Sequence, residues 1–161
     1  MDNILGIDPA LHNTGWAIIT ESDQYVASGI ITTNVKSDVC TRLAHIWQQI
    51  DQLLAAYPCA VCSMEEVFVN SNPHSSLSLG YARGVILGAM GQRGLTCMHL
   101  APASVKKLVT GKGNATKEDV HRALQLWFPA FAPALHDESD ALAVAFAANL
   151  QRKWARVAGQ L

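Results

Sequence analysis

The stretch Ile4-Leu5-Gly6-Ile7-Asp8-Pro9 constrains this chain more than any other. An apolar run of this length, closed by proline, reads as a buried strand. It ends in a carboxylate. A carboxylate at the end of a buried strand is costly unless a metal ion, a cation or several hydrogen-bond donors meet it. Cys59-Ala60-Val61-Cys62-Ser63-Met64 reads as a second buried strand, and it too delivers acids, Glu65-Glu66, at its C-terminal end. Two strands of this kind raise the question of which other residues meet Asp8, and for what purpose.

The rest of the chain reads as an α/β domain. Thr14–Thr20 and Tyr25–Thr32 are strands joined to the first by short turns, so the first three strands form an antiparallel meander. Gly29 inside the third marks a bulge or a close contact. Residues 37–56 form a helix whose apolar face is Leu43, Ile46, Trp47, Ile50, Leu53 and Leu54, with Ser37 as its cap. Further helices are expected over 75–92, 102–109, 116–127 and 136–155, and a last strand over 95–100. Thr116 and Asp119 have the spacing of a capping box. The predicted architecture is a mixed five-stranded sheet with helices on both faces.

With 161 residues, half of them hydrophobic and 16% charged, the chain is expected to form one domain over residues 1–161. No apolar run reaches membrane-spanning length, which predicts a cytoplasmic protein with reduced cysteines (Cys40, Cys59, Cys62, Cys97) and no membrane partner. Cys59-x-x-Cys62 has no second pair to complete a zinc site. In a regular strand its two thiols point to opposite faces, so they are expected as buried apolar side chains. The charge is uneven. Residues 1–82 carry two basic and eight acidic side chains, and residues 83–161 carry ten basic and five acidic. Such a split fits a metal-binding half beside a polyanion-binding half, or charges that mix on the folded surface.

Asp137 and Asp140 stand three apart at a helix start, so they share one face, where the helix dipole favours negative charge. Together with Asp8 and Glu65 they could make four carboxylates from three separate elements. An oxygen-only donor set suits Mg²⁺ or Mn²⁺ rather than zinc. Taken alone, each acid is equally readable as a turn former or a cap. Gly80, Gly84 and Gly88 form one stripe along the 75–92 helix. That stripe fits packing onto the domain's own sheet, or a helix pairing across a dimer.

Four blocks of residues, in order, resemble the RuvC-type Holliday-junction resolvases. They are Ile4-Leu5-Gly6-Ile7-Asp8-Pro9…Thr14-Gly15; Glu65-Glu66-Val67-Phe68…Asn72…Ser75…Leu79-Gly80…Arg83-Gly84; Val105-Lys106…Gly111…Gly113…Lys117; and Asp137…Asp140-Ala141-Leu142-Ala143. The resemblance implies an RNase H-like fold. It also implies a homodimer that makes paired, Mg²⁺-dependent nicks in four-way DNA junctions and leaves ligatable ends. By position it implies Asp8, Glu65, Asp137 and Asp140 as metal ligands, holding two Mg²⁺ per site, with Mn²⁺ as a substitute. It places Phe68, Asn72, Arg83, Lys106, Lys107, Lys112 and Lys117 at the DNA, and Gly80, Gly84 and Gly88 at the dimer interface. A branch-migration helicase is a further partner that the sequence leaves open.

Three other readings compete. A relaxed nuclease would cut flaps and forks as readily as junctions. Asp8…Thr14-Gly15 also resembles the first phosphate loop of actin and sugar-kinase-type nucleotide-binding proteins, but those need two such domains. A catalytically silent DNA-binding module would have no use for four acids, which repel phosphate.

Overall fold

The fold is that of a computed structural model, in which residues 2–67, 73–133 and 135–159 are described. The elements follow the order β1 (Asn3–Asp8), β2 (Asn13–Thr20), β3 (Tyr25–Thr32), α1 (Val39–Ala56), β4 (Cys59–Glu65), α2 (Pro73–Gln92), β5 (Cys97–Leu100), α3 (Pro102–Thr110), α4 (Lys117–Trp127) and α5 (His136–Val157). The five strands make one sheet in the order β3-β2-β1-β4-β5. β1, β2 and β3 are antiparallel, while β4 and β5 run parallel to β1. β1 is thus the central strand, and Asp8 leaves the sheet beside the end of β4, where Glu65 emerges. Among the described residues no helix is long and apolar enough to cross a membrane.

Two apolar layers cover the sheet. One side is closed by α1 and α2, whose Ile46, Ile50, Ile86 and Met90 pack on Leu5, Ile7, Ile18 and Met64. The other is closed by α3, α4 and α5, whose Val105, Leu124 and Phe146 join Ile4, Ala17 and Ile19. β1 feeds both layers because alternate side chains point to opposite faces. Every residue of α5 from Glu138 to Asn149 except Asp140 is buried.

The approach of α5 to the sheet depends on glycine. A Cβ on Gly6 would lie 2.1 Å from the Ala141 carbonyl oxygen and 2.5 Å from the Ala145 nitrogen. One on Gly15 would lie 2.1 Å from the Asp137 carbonyl oxygen. Gly15 is also the register partner of Asp8. The two glycines therefore let the N-terminal half of α5 rest directly on the backbone of β1 and β2. Gly29 makes the expected close contact, with the Trp16 ring.

Several expectations are corrected. The cap of α1 is Asp38, which accepts from the Thr41 amide at 3.0 Å; Ser37 is not the cap. Gly80, Gly84 and Gly88 do not pack on the sheet: all three are exposed, and a Cβ on any of them would meet nothing within 4 Å. Cys59 and Cys62 do not face opposite sides. The β1–β4 register slips at Asn3/Ile4, where Ala60 is the extra residue, and both thiols join the α1–α2 layer together with Cys97. Burial there pushes the Cys62 thiol up to about 12 and those of Cys59 and Cys97 to about 11, which suits inert core thiols.

Gly6→Ala is expected to destabilise the protein by about 3 kcal/mol in urea denaturation, since backbone rather than a flexible side chain must give way. Gly91→Ala, on the same scale, should be neutral or stabilising by up to about 1 kcal/mol, because the site is open and helical.

Candidate active site

Asp8, Glu65, Asp137 and Asp140 line a single cavity of about 300 Å³ at the C-terminal end of β1 and β4. Lys106 and Lys117 line it as well, and Pro102, Val105, Val120 and Ala143 supply apolar walls. A larger hollow of about 450 Å³ lies between Pro9–Leu11 and the start of α2, but no acid lines it. The four carboxylates come from three elements separated by most of the chain. β1 and β4 present one each, and the first turn of α5 presents two on one face.

The electrostatics of this cavity are unfavourable as it stands. Burial pushes the Asp8 carboxyl up to about 7, and the nearby charges of Asp140, Asp137 and Glu65 add to the rise. Lys117 opposes it. Glu65 is raised too, by burial first and then by Asp140, while Lys117 and Lys106 pull it down. Lys117 donates to Asp140 Oδ2 at 3.0 Å. That bond, with the surrounding acids, raises the ammonium's own pKa. Two lysines, one of them engaged, do not balance four acids, so the cavity is short of positive charge.

The donor set fits a hard divalent cation in its chemistry: oxygen ligands only, and an excess of negative charge held in a half-buried place. Among the described residues no three His, Cys, Asp or Glu side chains already stand as a closed metal-binding group.

The other expected site residues divide. Lys106 is half-buried on the cavity wall, whereas Lys107 and Lys112 are exposed and do not line it. Arg83, expected at DNA, instead donates to the Glu65 carbonyl oxygen at 2.6 Å and bonds His99 Nδ1 at 3.1 Å. It therefore holds the end of β4 in place. Glu66 is exposed, and its amide donates to the Leu100 carbonyl at 2.8 Å, so it is not part of the acid set. Phe68 and Asn72 lie outside the described residues. His136 is exposed and borders a hollow next to the cavity, shared with Lys117, His121 and Arg122.

Comparison with known proteins decides the family. A family model described as "Crossover junction endodeoxyribonuclease RuvC" matches residues 4–148. This chain belongs to the RuvC family of crossover junction endodeoxyribonucleases. A RuvC relative from Rickettsia felis is 39% identical over 153 residues, covering 92% of this chain and 98% of its own length. Another, from Rickettsia massiliae, is 42% identical over 147 residues, covering 89% and 94%. A solved structure of Thermus thermophilus RuvC in complex with Holliday junction substrate superposes with a TM-score of 0.90, at 21% identity, over 96% of this chain and 97% of that one. The fold is therefore the RuvC variant of the RNase H-like architecture. All four acids fall within the span that the RuvC family model covers.

The raised Asp8 pKa makes a signed prediction. Folded Asp8 holds its proton more tightly than the unfolded chain, where its value is near 3.8. The stability it contributes is complete below about pH 4 and is lost as pH climbs to about 7. The loss is at most about 4 kcal/mol. In metal-free buffer, Asp8→Asn should be more stable than the parent at pH 7 and equal to it at pH 4, measured by urea denaturation. Equal stability at both pH values would mean that Asp8 does not carry this burden.

Proposed function

We propose that this chain is a structure-specific endonuclease that resolves four-way DNA junctions by paired, divalent-metal-dependent hydrolysis of phosphodiester bonds. The observation that carries the reading is the convergence of Asp8, Glu65, Asp137 and Asp140 on one cavity in a RuvC-family chain. The T. thermophilus protein solved with a Holliday junction supplies the substrate class.

Asp8, Glu65, Asp137 and Asp140 would hold Mg²⁺, with Mn²⁺ as a substitute and two ions as the expected number. When bound, such ions supply Lewis-acid stabilisation of the phosphorane-like charge and a more acidic water for attack. The chain's own groups do the rest. The carboxylates orient the water-bearing side of the cavity. Lys106 and Lys117 neutralise the scissile phosphate's non-bridging oxygens, and Lys107 and Lys112 engage flanking phosphates, which position the strand without reading its sequence. Phe68 and Asn72 keep the junction-contacting roles that the family resemblance gives them. A DNA substrate would put this activity in the cytoplasm.

One chain has one such cavity, and paired nicking requires two. We assign the second to another copy of the chain. The exposed stripe of Gly80, Gly84 and Gly88 on α2, flanked by exposed Leu77 and Tyr81, would let a partner backbone approach.

Purified protein with a labelled four-way junction and Mg²⁺ should give symmetric nicks. Asp8→Asn and Glu65→Gln should abolish cutting while junction binding survives. Cleavage surviving Asp8→Asn would defeat the reading, and equal rates on flaps and forks would replace it with the relaxed nuclease. Gly84→Leu should shift the protein from dimer to monomer in analytical ultracentrifugation and lose paired nicking. A variant that remains dimeric would remove the α2 stripe from the interface.

A further inference from the structure

The first turn of α5 holds more than its two metal-facing acids. Glu138 and Ser139, between Asp137 and Asp140, are both buried. The Ser28 hydroxyl, on β3, donates to Glu138 Oε2 at 2.7 Å. Ser28 in turn lies 3.0 Å from the Tyr25 hydroxyl, which is left as the donor of that bond. On the other side, Ser139 Oγ is bonded to His121 Nδ1 of α4 at 3.2 Å. The same turn lacks ordinary support: its N-cap is Leu135, with no side-chain capping bond.

Helical geometry gives this pattern a meaning. Successive residues are about 100° apart around an α-helix. Asp137 and Asp140 are then about 60° apart, and Glu138 and Ser139 sit about 130° to either side of the direction midway between them. One ties the helix to β3 and the other to α4. Two ties placed symmetrically oppose rotation of the helix about its own axis, in both senses. That rotation is the motion that would swing Asp137 and Asp140 away from Asp8. Close packing on Gly6 and Gly15 fixes how near the helix lies, and buried Leu142 and Phe146 anchor the turns that follow, while Glu138 and Ser139 tie the first turn that carries the acids.

We propose that Glu138 with Ser28, and Ser139 with His121, are positioning residues that lock the roll of α5 and so preset the carboxylates for the cation. A buried carboxylate costs stability unless it is hydrogen-bonded. Keeping Glu138 one residue from the acid cluster makes sense if its bond to Ser28 serves the site. The inference rests on the nuclease reading above.

The test pairs steady-state cleavage of a four-way junction with calorimetric titration of Mn²⁺ into the DNA-free protein. Ser28→Ala and Ser139→Ala should each lower kcat about tenfold and weaken Mn²⁺ binding by a similar factor. KM for the junction should be unchanged. Glu138→Gln keeps an acceptor for Ser28 and should stay near the parent in both measurements, while Glu138→Ala should match Ser28→Ala. If Glu138→Ala does not fold, Ser28→Ala with Glu138→Gln still decides the matter. Parent values of kcat and Mn²⁺ affinity in Ser28→Ala and Ser139→Ala would overturn the inference. So would losses that follow Tm alone, or that fall only on KM. A parent protein that cuts no branched DNA would instead bring down the nuclease reading itself.

Discussion

Everything at the site depends on how closely one helix can lie on one strand. Gly6 and Gly15 remove the two side chains that would hold α5 off β1 and β2, and the alanines of the helix complete the fit. Because Gly15 pairs with Asp8, the Asp137 carbonyl resting on Gly15 places the start of α5 beside the end of β1. The packing that buries the core therefore also gathers the acids. A methyl group at either glycine would move the chemistry as well as weaken the fold.

That gathering has an energetic cost. Four carboxylates share one cavity with a single engaged ammonium, and Asp8 is raised to about 7. Such an arrangement persists only because the surrounding structure is stable enough to hold it. Here the support is the buried length of α5, the two apolar layers, and Arg83, which pins the carbonyl of Glu65. The cluster is unstable as a set of free acids and well suited to a cation, since binding would offset the burial, and with it the repulsion from Asp140, Asp137 and Glu65, that now raise Asp8.

Much of this was legible in the sequence, because an apolar strand that ends in an acid is a local signal. β1 and β3 lie where the apolar run and the short turns predict, and Asp8 and Glu65 follow from the ends of their strands. Asp137 and Asp140 follow from helical spacing. What escaped was relational. Gly6 announces that something comes close, but not that α5 does. Glu138 and Ser139 look like ordinary first-turn polar residues until β3 and α4 are seen on either side. The slip at Ala60, which puts Cys59 and Cys62 in one layer, is set by pairing with β1 and leaves no mark in β4 alone. The glycine stripe of α2 allowed two arrangements, and only the coordinates show that the chain's own sheet leaves it open.

The uneven charge also resolves once partners are assigned. Of the ten basic residues after position 82, Arg152 and Arg156 bond Glu21, Lys153 bonds Asp23, Arg93 bonds Asp51 and Arg122 bonds Asp119. Arg83 is spent on a backbone carbonyl and His99. So the two halves do mix on the surface, and the net basic character of the second half is largely consumed. The four that remain, Lys106, Lys107, Lys112 and Lys117, fall together on α3, its following loop and the start of α4, next to the cavity. Lys117 is the one already engaged, and its partner Asp140 is a ligand in the reading argued above. If Asp140 turns to a cation, the Lys117 ammonium is released beside the place a phosphate would occupy. A chain with almost no net charge can thus concentrate cations on DNA where hydrolysis needs them, and gain Lys117 among them in the loaded state.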